Sequence, residues 1–98
     1  MKKIATLAAT GNVTLVPHSF YYGPGLAATL HFIASTPGCA LRRVPGDRAR
    51  GPLIADPPRF GGGFVTVPSR AGLGADPDPA ILSRYPYRAD AARPFYLT

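Results

Sequence analysis

The stretch from Val13 to Ile33, VTLVPHSFYYGPGLAATLHFI, constrains the fold more than any other part of the chain. Val13-Thr14-Leu15-Val16-Pro17 is too short for a stable helix and rich in β-branched side chains. It shows no polar alternation, so it predicts a strand buried on both faces, as in a parallel sheet. Pro17 has no N–H to give to a ladder, so pairing fades there, and His18 falls just beyond the strand's carboxyl end. A loop with Ser19, Tyr21, Tyr22 and Gly23-Pro24-Gly25 follows. From Gly25 to Ser35 the apolar residues Leu26, Leu30, Ile33 and Ala34 recur at helical spacing. Pro37-Gly38 stops that helix, and Cys39 to Val44 can form a second short strand. Strand, helix and strand within about 30 residues make a βαβ unit, right-handed and with parallel strands.

The flanking segments are read from the same signals. Lys2 to Thr10 is a helix end with Ile4, Leu7 and Ala8 on one stripe, with Gly11 where a left-handed C-terminal cap is wanted and Asn12 assisting the turn. Lys2 and Lys3 stand at the unfavourable end for its dipole, which suggests a longer helix extending upstream. Pro45 to Gly63 is loop-like, broken by Asp56-Pro57-Pro58 and by Gly61-Gly62-Gly63, the latter read as a flexible hinge because it has no phosphate-loop lysine. Phe64 to Val67 is a short strand ended by Pro68. Gly72-Leu73-Gly74 is a turn. Asp76 to Leu82 is a short helix with Asp78 as its cap and Pro79 at its first position. Beyond Tyr85 the chain reads as a loose tail.

Composition narrows the function classes. Twelve prolines and eleven glycines in 98 residues are too many for a helical bundle. The net charge of +6 comes from eleven basic and five acidic residues. All five acids are aspartates (Asp47, Asp56, Asp76, Asp78, Asp90) and there is no glutamate. Arg42, Arg43, Arg48 and Arg50 cluster in one Pro/Gly-rich stretch with no interleaved aromatics. They read as a solvated loop rather than a nucleic-acid surface. No apolar run approaches membrane-spanning length, so neither nucleic acid nor membrane is an expected partner. Cys39 is the only cysteine, which excludes an internal disulfide and a paired-cysteine metal site and points to the cytoplasm.

The order KKIATLAA, GNVTLVPHS, GPGLAATLHFIAS, then GGFVTVP, AGLGADPDPAIL and SRY resembles the C-terminal end of the mandelate racemase/muconate lactonizing enzymes of the enolase superfamily. The likeness runs from about Lys2 to about Tyr85. It implies an α/β fold, a partial (β/α)8 barrel. Residues 1–44 would hold its C-terminal βα units, about strands seven and eight. Residues 45–85 would form a segment returning toward the capping domain, with a short strand and helix, and 86–98 a tail. It implies a Mg²⁺-dependent proton abstraction next to a carboxylate, in an acid-sugar dehydratase, isomerase or racemase.

His18 falls on the position of the family's strand-seven histidine, a proton-transfer group, and imidazole suits that work because it both accepts and donates a proton near neutrality. Ser19, Tyr21, Tyr22 and Gly25 are candidate substrate contacts on the same rim. Gly25 lies where a helix N-terminus offers free N–H groups. His31, inside the helix, is read as a packing or solvent-edge residue. The departures matter equally. The family's metal ligands and lysine bases lie on earlier strands, and Cys39-Ala40-Leu41-Arg42-Arg43 carries no acid where many members have a strand-eight glutamate. The expectation is therefore a C-terminal part of such an enzyme, with no metal ligand of its own and inactive and marginally stable by itself. It would associate with the missing barrel portion or with a second copy. The alternative is a non-catalytic module that pairs through open strand edges.

Overall fold

In a computed structural model of the chain, residues 1–18, 22–40 and 53–89 are described. The fold is α/β. Its elements are α1 (Lys2–Thr10), α2 (Pro24–Ala34), β1 (Phe60–Gly61), β2 (Phe64–Val65) and α3 (Pro79–Arg84). None of these helices is long and apolar enough to cross a membrane.

The two predicted strands around α2 meet as one parallel bridge, Leu15 to Cys39. The Leu15 amide donates to the Gly38 carbonyl at 3.3 Å, and the Ala40 amide donates to the Leu15 carbonyl at 3.0 Å. This is the expected βαβ connection, reduced to its minimum. The burial expected of the first strand is not found: Val13 is 62 % exposed, and Val16 is exposed as well. Burial of both faces requires layers above and below the strand, and the exposure of Val13 and Val16 shows that the described residues do not supply both. Residues 41–44 of the predicted second strand lie outside the described residues, as do the arginine cluster, residues 45–52 of the stretch read as loop-like, and residues 90–98 of the predicted tail.

α1 stops at Gly11, with the Gly11 amide donating to the Leu7 carbonyl at 3.3 Å, but Gly11 is not the expected left-handed cap: its φ is −89, and the left-handed residue is Asn12, with φ 53, a conformation asparagine tolerates. Its apolar stripe faces outward: Ile4 is 61 % and Leu7 73 % exposed, and Ala5 is the helix's buried residue. The basic residue at its start has a use that helix polarity within α1 does not suggest. The Lys2 ammonium donates to the Ser35 carbonyl at 2.6 Å, to the Ser35 hydroxyl at 2.9 Å and to the Thr36 hydroxyl at 2.9 Å. It also lies 5.5 Å from the centre of the Phe32 ring. Lys2 thus sits at the C-terminal end of α2, where unpaired carbonyls and the dipole favour a cation. Lys2→Met should therefore loosen α1 from α2 by about 1 kcal/mol, the scale of a charge at a solvent-exposed helix end. The loss should appear in denaturant unfolding and shrink at high salt.

Among the described residues the buried apolar ones are Ala5, Leu26, Ala27, Leu30, Ile54 and Ala75. Ala27, Ile54 and Ala75 form one cluster, in which the returning segment packs on the N-terminal half of α2. Leu26 and Leu30 are buried as the helical spacing predicts, whereas Ala34 is exposed. The returning segment is held by an antiparallel bridge between Ile54 and Pro77, with the Asp78 amide donating to the Leu53 carbonyl at 3.1 Å. α3 begins where the sequence places it: the Asp78 carboxylate accepts from the Ala80 amide at 2.8 Å, and Pro79 holds the first helical position.

Two readings are corrected. Gly61-Gly62-Gly63 is not a hinge but the turn of a hairpin, pairing Phe60 with Val65 and Gly61 with Phe64. Gly62 (φ 57) and Gly63 (φ 81) both take the positive φ that a tight two-residue hairpin turn requires. The predicted strand Phe64 to Val67 shortens to Phe64–Val65, and Phe64 is 83 % exposed. With a single partner strand and Phe60 and Phe64 exposed among the described residues, the pairing has no reason to extend.

Candidate functional site

His18 stands three residues past Leu15, at the carboxyl end of the strand, and is exposed. Chain direction sets this. The parallel bridge fixes the strand at Leu15, Pro17 ends its capacity to donate, and the next residue emerges beyond the sheet. α2 starts at the same end. Gly23 is its N-terminal flank, with φ 54 and ψ −128, and Pro24 opens its first turn. Gly25 lies in that turn, its carbonyl accepting from the Thr29 hydroxyl at 3.0 Å. Tyr22 is exposed just before it. Ser19 and Tyr21, the other two rim candidates, lie outside the described residues. The topology therefore brings His18, Tyr22 and Gly25 to one end of the βα unit.

The N-terminus of α2 is less open than its sequence suggests. A Cβ on Gly23 would meet the Leu53 Cβ at 3.0 Å and the Ile54 Cγ2 at 3.4 Å. An apolar pair from the returning segment thus lies against the turn that leads into the helix. No local signal announces this cover, because it comes from residues thirty positions further along. His31 is half-buried, and its Nε2 lies 3.1 Å from the Leu73 carbonyl. A carbonyl only accepts, so Nε2 is the protonated nitrogen in that bond. The bond ties α2 to the glycine turn, in keeping with a packing role.

Cys39 is half-buried, and burial pushes its thiol above the usual range. The Ala40 backbone hydrogen bond and the Lys2 charge pull more weakly the other way. It is therefore a poor thiolate nucleophile. A cleft of about 250 Å³ lies between α1 and the strand starts, lined by Ala5, Ala9, Asn12, Val13, Pro37 and Gly38 among others. It opens at the amino ends of the strands, and His18 does not line it.

The described acids do not fit a Mg²⁺ site. Mg²⁺ requires converging oxygen ligands in near-octahedral array. Here the Asp78 carboxylate caps α3, and the Asp56 carboxylate lies 3.4 Å from Arg70. No group of three His, Cys, Asp or Glu side chains converges among the described residues.

The comparisons agree with the order of elements. The chain is 32 % identical over 95 residues to a D-galactarolactone cycloisomerase of Agrobacterium fabrum (strain C58 / ATCC 33970), a match covering 87 % of this chain and 25 % of that protein. The chain thus spans about a quarter of the length of this curated relative. No solved structure matches it significantly. The sequence profile of the enolase C-terminal domain-like family matches residues 1–81. The chain belongs to the enolase C-terminal domain-like family.

Proposed function

We propose that this chain supplies the last βα units of an enolase-type (β/α)8 barrel, with residues 1–44 as staves seven and eight, 45–85 as the segment returning toward a capping domain and 86–98 as a tail. In this reading His18 is the group that moves a proton at the carbon next to a substrate carboxylate. The substrate is an acid sugar or its lactone, a reading supported by a relative whose name gives D-galactarolactone. One observation carries the reading: the parallel bridge of Leu15 to Cys39, closed by α2, leaves His18 immediately past the carboxyl end of a strand. That is where barrel enzymes carry their chemistry. Tyr22 and Gly25, with Ser19 and Tyr21, form the substrate rim. Mg²⁺ would be held by carboxylates of other staves, since the acids described here do not fit it. The setting is cytoplasmic, in keeping with the single cysteine.

A second reading rests on the strand edge. Thr14 and Val16 have no backbone partner among the described residues, so the edge away from Cys39 is open to another strand. In that case the chain is a non-catalytic subunit.

The experiment separates the two. The chain is expressed alone and together with a polypeptide carrying the remaining three quarters of the cycloisomerase relative. Both preparations are assayed with Mg²⁺ against galactarolactone and a panel of acid sugars. Turnover by the pair and none by either partner alone supports the barrel reading. Turnover by the chain alone overturns it. A pair that copurifies without turnover favours the subunit.

A further inference from the structure

The returning segment carries a cleft that the reading above does not use. It has a volume of about 280 Å³ and lies between residues 56–59 and 66–70, with Gly74 beside it. Pro57, Pro58 and Pro68 form stiff walls, because the proline ring fixes φ at each. The hairpin holds the two sides in register, with the Thr66 hydroxyl accepting from the Arg59 amide at 2.9 Å and the Thr66 amide donating to the Arg59 carbonyl at 3.0 Å.

The donors here outnumber the acceptors. Arg59, Arg70 and Ser69 line the cleft, against one carboxylate, Asp56. Arg70 meets Asp56 at 3.4 Å, and both side chains are more than half exposed. That is longer than a well-formed charged hydrogen bond and weak at such exposure. The guanidinium has five N–H donors and uses one of them loosely. The Arg59 guanidinium and the Ser69 hydroxyl have no protein partner among the described residues. We infer that this cleft binds a small oxyanion, a carboxylate or phosphate group, which takes a forked pair of hydrogen bonds from Arg70 in place of Asp56 and further bonds from Arg59 and Ser69. The planar fork of arginine matches either group, and the chain's net charge of +6 favours an incoming anion.

Asp56 gives the proposal a distinctive sign. It competes with the ligand for Arg70, so its removal should strengthen binding, whereas a carboxylate serving only to hold the loop would weaken binding on removal. The test is equilibrium dialysis of the full 98-residue chain, at micromolar concentration and constant ionic strength, against radiolabelled inorganic phosphate and separately against malonate. Saturable binding of at least one probe is expected. It should weaken about tenfold or more in Arg70→Gln, the scale of a charged hydrogen bond, and tighten in Asp56→Asn. It should be unchanged in Lys3→Gln, a basic residue on exposed α1. Preference for malonate marks a carboxylate ligand and preference for phosphate a phosphorylated one. The proposal is overturned by a linear, unsaturable isotherm, by equal losses in Arg70→Gln and Lys3→Gln, or by weaker binding in Asp56→Asn.

Discussion

Replacing His18 by alanine in the co-expressed barrel assembly lowers kcat by about 10²–10⁴-fold, the span of a positioned proton-transfer group. The strand's geometry makes this position sensitive. Leu15 is fixed by two backbone bonds to residues 38 and 40, and Pro17 restricts the one residue between Val16 and His18. The imidazole therefore departs from a defined point rather than from a free loop. Two controls separate chemistry from folding. His31→Ala removes the bond to the Leu73 carbonyl and should leave kcat largely intact while lowering stability. In His18→Ala, added imidazole should restore part of the rate, because a soluble base can enter the space that the side chain leaves. A structural role would respond to neither. An assembly that turns over at the wild-type rate with alanine at residue 18 removes this histidine from the proposed mechanism.

The parts of the fold legible in the sequence are those decided within a few residues. α3 could be placed because a carboxylate that caps an amide two residues on, followed by proline, is a local arrangement, and Asp78-Pro79-Ala80 forms it. The end of α1 was legible to within one residue: the left-handed turn falls on Asn12 rather than on Gly11. The βαβ connection was legible because strand, helix and stop signals occur in order. What the sequence did not reveal depends on distant partners. Val13 and Val16 look like buried strand residues, but burial belongs to whatever packs over them, and the described residues supply little. Lys2 looks misplaced beside its own helix dipole. It serves another helix, 33 residues away in sequence, and no window shows that. The three glycines at 61–63 were ambiguous for a different reason. Glycine permits both a hinge and a tight turn, and only the pairing of Phe60 with Val65 selects between them. For the site, the position of His18 was legible from strand polarity. The cover that Leu53 and Ile54 lay against Gly23 was not.

Substituting valine at Gly74 should destabilise the returning segment by roughly 2–6 kcal/mol, the largest single-residue effect expected outside the βα unit. Two separate terms add. Gly74 has φ 62, a conformation that costs a non-glycine residue about 1–3 kcal/mol. A Cβ there would also lie 2.7 Å from the Pro68 Cβ and 3.3 Å from the Arg70 nitrogen. Neither atom belongs to a flexible side-chain end, so relief requires moving backbone, at about 1–3 kcal/mol for overpacking. Gly72 supplies the comparison within the same turn. Its φ of 65 is nearly the same, but no described residue lies within 4 Å of its would-be Cβ. Gly72→Val should therefore show the backbone term alone. The readout is hydrogen exchange at the Asp78 amide, whose bond to the Leu53 carbonyl joins the two sides of the segment. Exchange there should be fastest in Gly74→Val and intermediate in Gly72→Val. If the two variants exchange alike, the contact with Pro68 contributes nothing, and the stability of this turn rests on backbone conformation alone.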